Sequence, residues 1–169
     1  MTAEMTTVSE GENSAAPADG VGVGATWLLC RTGTMLCALP IGQVREIMRM
    51  LPIKPLAAAP RYVVGLSIVR GAPVPVVDIG LLVSDAATQA SRLVLVEAGG
   101  RPIALAVQSV AGIADIGEAA LGQLPPLLQD SAADTITAVG ARDSELLLCL
   151  RAGRMVPDQV FDRLAETLS

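Results

Sequence analysis

Apolar residues in this chain come in short runs cut by glycine and proline. Residues 27 to 39, WLLCRTGTMLCAL, hold two such runs around Thr32-Gly33-Thr34. Glycine supplies the backbone freedom of a tight turn, so the stretch predicts a β-hairpin. In the following IGQVREIM, Ile41, Val44 and Met48 stand at helical spacing, which predicts one or two helical turns. Pro52 and Pro55 then break the chain. VVGLSIVR and PVPVVD predict a second strand pair around Gly71-Ala72. Pro73 and Pro75 lack the N–H that a central strand needs, so that strand is expected at an edge or through a bend. Residues 157 to 169, PDQVFDRLAETLS, predict a C-terminal helix. Pro157 and Asp158 suit its first turn, and Val160, Phe161, Leu164 and Leu168 form one apolar face.

The second half repeats this plan. With Gly33 set over Gly99, residues 28 to 47 align without a gap on residues 94 to 113. Leu29 then faces Leu95, Ala38 faces Ala104, Leu39 faces Leu105, Val44 faces Val110 and Ile47 faces Ile113. Each copy continues through a proline-marked linker, LPIKPLAAAP or LPPLL, to a further strand pair. The pattern predicts a duplicated all-β chain of roughly five short strands per copy. Each copy is expected to curl into a small barrel, which removes exposed strand edges.

Composition narrows the function. Hydrophobic residues make up 51% of the 169 and aromatic residues 2%, so aliphatic side chains must fill the core. No apolar run approaches the roughly 18 residues of a membrane span, and the first residues have neither the basic start nor the apolar stretch of a secretory signal. A cytoplasmic protein without direct membrane insertion is expected. Residues 1 to 25 carry Glu4, Glu10, Glu12 and Asp19 with no lysine or arginine, and read as a disordered acidic tail. The remainder has 13 acids (17 less these 4) against 12 bases, which gives no electrostatic footprint for nucleic acid.

Catalytic groups are scarce. The chain has no histidine, which excludes Ser/His and Cys/His nucleophile systems. Cys30, Cys37 and Cys149 are an odd, scattered set that suits small buried hydrophobes better than a zinc site. Gly20, Gly22 and Gly24 follow no strand and make no phosphate cradle. Asp78, Asp115 and Glu118 read as solvated loop acids. No catalytic residue, metal or cofactor is expected.

Arg70, in the middle of GLSIVRGAPVPVVD, stands out in so apolar a stretch. Two readings are open. It is a turn arginine with its stem packed and its head in water, or it pairs with an acid, for which Glu46 and Asp78 are the candidates.

Three segments together resemble the CheW coupling-protein family of bacterial chemotaxis. GLSIVRGAPVPVVDI is similar to the family's G-x-x-N-L-R-G-x-x-x-P-V-[IV]-D-L, IGQVREI to its I-x-x-V-x-E-I, and GGRPIALAVQSVAGI to its G-x-x-x-[AG]-L-x-V-D-x-V. Ser67 and Gln108 replace the pattern's Asn and Asp. The likeness covers about residues 27 to 156 and implies a CheW-like domain at 26–156, between the acidic tail (1–25) and the C-terminal helix (157–169). It implies two five-stranded SH3-like β-barrels packed together, with short connecting helices. It also implies a non-catalytic adaptor. One surface would bind the regulatory domain of a CheA-type histidine kinase, and a groove between the barrels would take the cytoplasmic tip of a chemoreceptor. Carried over by position, the receptor-binding residues are Val44, Glu46, Arg70 and Leu93, with Glu46 and Arg70 as a structural ion pair. The alternative is a regulator or competitor that binds only the kinase, in a gliding- or pilus-type pathway.

Overall fold

The structure, a computed structural model, describes residues 25–117, 121–122 and 135–168. The acidic stretch 1–24, Glu118 and the linker at 124–128 lie outside the described residues. Strand follows strand in the order β1 (Ala25–Thr32), β2 (Met35–Pro40), β3 (Val44–Arg49), β4 (Val63–Val69) and β5 (Ala72–Asp78). A short helix α1 (Ile79–Ser84) leads to β6 (Arg92–Ala98), β7 (Arg101–Val107), β8 (Ser109–Ile116), β9 (Leu121–Gly122), β10 (Ile136–Arg142) and β11 (Glu145–Leu150). The C-terminal helix α2 spans Asp158–Leu168. It buries Val160 and Leu164, and Arg101 of β7 pairs with Asp158 and lies 4.2 Å above the Phe161 ring.

The helical reading of residues 41 to 48 is corrected. Only Ile41–Gln43 forms a single 3-10 turn, and Val44–Arg49 is a strand. Val44, Glu46 and Met48 are half-buried while Arg45, Ile47 and Arg49 are exposed, a period of two. Pairing with β6 supplies the backbone hydrogen bonds that a helix would have made within itself.

The two halves run through a similar order of hairpin, strand and second hairpin, but they do not fold separately. One sheet runs β8-β1-β2-β11-β10-β9 and the other β3-β6-β7-β5-β4. The first hairpin of each copy is therefore built into the sheet of the other. β2 lies parallel to β11, and β7 parallel to β5. Parallel neighbours cannot be joined by a hairpin, so the sequence signals for hairpins carry no trace of this exchange. Among the described residues no strand ladder joins the end strands of either sheet, so the barrels are not closed. In the second sheet a lone bridge spans the seam, with Lys54 N and Leu66 O at 2.8 Å. The approach is so close that a Cβ on Gly65 would lie 2.2 Å from the Lys54 carbonyl oxygen.

The expectation that this strand runs at a sheet edge is corrected: β5 lies between β7 and β4. β4 pairs with β5 through Pro73 and Pro75, whereas β7 pairs only with Val76–Asp78. The prolines thus fall where one side of the strand has no partner.

Three apolar clusters explain why the strands are nearly continuous hydrophobic runs. Leu28, Cys30, Leu39, Val94, Leu105 and Leu148 belong to the largest. Alternating with them, Trp27, Leu29 and Leu36 fill a second cluster in the first sheet. Val69, Val74, Val76 and Leu93 fill a third in the other. The three cysteines are buried and unpaired. Burial pushes the thiols of Cys30 and Cys149 up to about 12. Burial also raises that of Cys37, with the neighbouring sulfurs adding to it.

Candidate functional site

Arg70 occupies the first position of the turn between β4 and β5, with φ of 52°, and Gly71 follows at 84°. Two positive φ angles in a two-residue loop match the twist of the strands they join. Glycine or asparagine adopts them most easily, so an arginine at the first position carries strain. Its guanidinium reaches across to β3. Nε donates to Glu46 Oε1 at 2.9 Å and Nη2 donates to Oε2 at 2.6 Å. This two-point contact matches the planar fork of the guanidinium to the carboxylate. The hydrogen bond to Glu46, and then its charge, raise the arginine's pKa further.

β3 and β4 are the two end strands of their sheet. The pair therefore clasps the open seam from β3 to the tip of the β4–β5 hairpin, beyond the Lys54–Leu66 bridge. Glu46 is about one-third exposed and Arg70 about 72% exposed by side chain, so the clasp is on the surface.

Asp78, the other acid considered for Arg70, lies at the far end of the same hairpin and is engaged elsewhere. It is buried. It caps α1 by accepting from Leu81 N at 3.1 Å, and it accepts from Thr88 N at 3.0 Å and Thr88 Oγ1 at 2.6 Å. Thr88 Oγ1 also accepts from Gly80 N at 2.9 Å and lies 2.8 Å from Thr32 Oγ1. Thr88 Oγ1 donates its single hydroxyl proton to Asp78 Oδ1. Thr32 must then donate to Thr88. This chain joins β1 of one sheet to the end of β5 in the other. The reading of Asp78 as a solvated loop acid is therefore corrected.

The remaining site residues separate by depth. Val44 is half-buried and packs against the largest cluster. A register shift between Val44 and Glu46 marks a β-bulge in the β3–β6 ladder, a local kink that re-aims neighbouring side chains. Leu93 is 0% exposed and lies within the third cluster. Its placement on a binding surface is corrected: β6 is flanked by β3 and β7, and Leu93 sits between Met48 and Ala106.

Two residues missed from the sequence are Ile47, 43% exposed, and Ile68, 59% exposed. Ile47 directly follows Glu46, and Ile68 precedes Arg70 by two residues. Ile47 lay within a presumed helix, and Ile68 within a run apolar on both faces, so neither pattern showed which way the side chain points.

The two departures from the motif are both used by the fold. Ser67 Oγ donates to the Pro52 carbonyl oxygen at 2.8 Å, holding the segment that bridges the seam. Gln108 Oε1 accepts from Gly33 N at 3.0 Å, holding the β1–β2 turn. Among the described residues no cluster of histidine, cysteine, aspartate or glutamate could hold a metal ion. Among them, too, no helix is long and apolar enough to cross a membrane.

Comparison with known proteins gives a consistent picture. The profile of the CheW-like domain family matches residues 26–160. Among solved structures, the scaffolding protein TtCheW from Thermoanaerobacter tengcongensis is similar in fold, with a TM-score of 0.65 at 20% sequence identity. The match covers 77% of this chain and 90% of that one. No curated protein matches the chain.

Proposed function

Because this chain belongs to the CheW-like domain family, whose members are non-catalytic scaffolding proteins of chemotaxis, we propose that it couples chemoreceptors to a CheA-type histidine kinase in the cytoplasm. The family match over residues 26–160 carries this reading. The receptor surface is assigned to β3 around Val44, Glu46 and the exposed Ile47, together with the Arg70 turn. A receptor tip is a helical hairpin, and an apolar helix face docks on a shallow apolar floor. The Glu46–Arg70 clasp supports such a role because it holds β3 against the neighbouring hairpin without using the outward side chain of Ile47.

Reconstitution tests the reading. Receptor cytoplasmic fragments, the kinase and this protein are mixed and sedimented together. A coupling protein brings the kinase down with the receptor, and omitting it leaves the kinase in solution. Binding to the kinase alone would replace this reading with that of a kinase regulator.

A further inference from the structure

The two halves of the chain share one surface feature and reverse another. The alignment that sets Gly33 over Gly99 continues by two residues at each end, where Thr26 falls over Arg92 and Arg49 over Asp115. In the structure these four residues form two equivalent rungs. Arg49 of β3 stands opposite Arg92 of β6, and Asp115 of β8 stands opposite Thr26 of β1. Two residues earlier on β3 and β8, Ile47 is paired with Val94 and Ile113 with Leu28. Val94 and Leu28 belong to the largest cluster, and residues directly opposite each other share a face of their sheet. The isoleucines therefore lie on the faces that bury this cluster. Because β3 and β8 are end strands, Ile47 is left 43% exposed and Ile113 65% exposed.

Each end strand thus presents an exposed isoleucine with charge beside it, and the charge differs in sign. The β3 face offers the exposed guanidiniums of Arg49 and Arg92, and the β8 face offers the exposed carboxylate of Asp115. The fold does not demand the arginines. Like charges directly opposite each other destabilise a ladder. The equivalent rung does without them, since Thr26 Oγ1 donates to Asp115 Oδ1 at 2.6 Å. That bond leaves the carboxylate further lone pairs with which to accept. Arg92 Nη1 donates to the Ser91 carbonyl oxygen at 2.9 Å, and its guanidinium keeps other donors.

We propose that the chain associates head to tail with a second molecule of itself. The β3 face of one molecule docks on the β8 face of the next, with Ile47 against Ile113 and the Arg49–Arg92 pair on Asp115. Contact between like faces is disfavoured, because it would set arginines against arginines or carboxylate against carboxylate. A head-to-tail contact leaves one face of each kind unused, so it extends into a closed ring or an open chain. The contact is small and exposed, and is therefore weak and sensitive to salt. It does not rest on the adaptor reading, and its test contains no receptor.

Sedimentation equilibrium of the full chain provides that test. The weight-average mass of the native protein should rise above that of one chain as concentration increases, and fall back in about 0.5 M salt, which screens exposed charges. Arg49→Glu spoils the β3 face alone and Asp115→Arg the β8 face alone, so each variant by itself should stay monomeric. Mixed together, they supply one intact face of each kind and should form a species of two chains and none larger. A native protein that stays monomeric at every concentration overturns the proposal, as does association that either variant retains. A mixture that stays monomeric overturns the head-to-tail contact. Amide spectra report whether each variant is folded. Where a charge variant does not fold, Arg92→Glu or Ile113→Gln replaces it on the same face, with the same outcomes.

Discussion

Arg70 holds a backbone conformation that glycine adopts more easily, and its contact with Glu46 offsets that strain. Strain and clasp make separate predictions. Arg70→Ala removes the contact and keeps a Cβ at positive φ, whereas Arg70→Gly removes the contact and relieves the backbone. In urea unfolding the alanine variant should therefore be the less stable. A double-mutant cycle with Glu46→Ala should show non-additive effects that fade as salt rises; additive effects at low salt would make the pair incidental. The residues left both Glu46 and Asp78 open as partners, because local pattern does not show which distant strand lies beside the hairpin tip. The burial of Leu93 was equally hidden. Its strand reads Arg92-Leu93-Val94-Leu95-Val96, apolar at both parities, and such a run is legible as buried without showing which side chain faces out.

At the scale of elements, the hairpins were legible because glycine turns and apolar flanks coincide. β3 was not, because Ile41, Val44 and Met48 satisfy a helical period while Val44 and Met48 also satisfy a period of two. The strand assignment changes what substitutions should do. Ile47 points outward, so Ile47→Glu should alter stability by no more than about 0.5 kcal/mol. Val44 packs on the main cluster, and placing a carboxylate there should cost about 1–3 kcal/mol. Ile47→Glu is thus the cleaner probe of receptor docking. A folded Ile47→Glu protein that binds a receptor fragment normally would remove β3 from the docking surface. Gly80 marks a second element boundary. A Cβ there would lie 2.3 Å from the Ala86 carbonyl oxygen and 2.6 Å from Thr88 Oγ1. Gly80→Ala should therefore disrupt the Asp78–Thr88–Thr32 chain and destabilise the protein more than Thr32→Val, which removes one donor from it. Thermal unfolding of the two variants gives the comparison.

For the whole molecule, the order of hairpins was legible and their exchange between the sheets was not, since pairing between distant strands leaves no local signal. One ion pair reports on the exchange. Arg31 of β1 makes a two-point contact with Glu145 of β11, including Nη2 to Oε1 at 3.0 Å, across the junction between copies. The hydrogen bond from Arg31 depresses the carboxyl of Glu145 below its ordinary 4.5, against an opposing effect of desolvation. A depressed carboxyl stabilises the fold above the unfolded-state value and loses that effect as pH falls through the folded-state value. The stability gap between the native protein and Glu145→Gln should thus stay constant above about pH 5 and shrink below pH 4.5. Urea midpoints from pH 7 to 3 would show it, and a gap that widens in acid would contradict the pairing.

The exchanged hairpins also order events in time. During synthesis β1 and β2 emerge early, yet their neighbours β8 and β11 follow only once residues up to 150 have been made. At about 5–20 residues per second, the first hairpin waits several seconds with apolar faces uncovered and both edges unpaired, a condition that invites pairing with other chains. Pulse-labelled nascent chains stopped near residue 90 should accordingly be protease-sensitive throughout, and those released after residue 156 resistant. The same interlock that withholds structure from the first half denies the finished protein any route to losing one half alone.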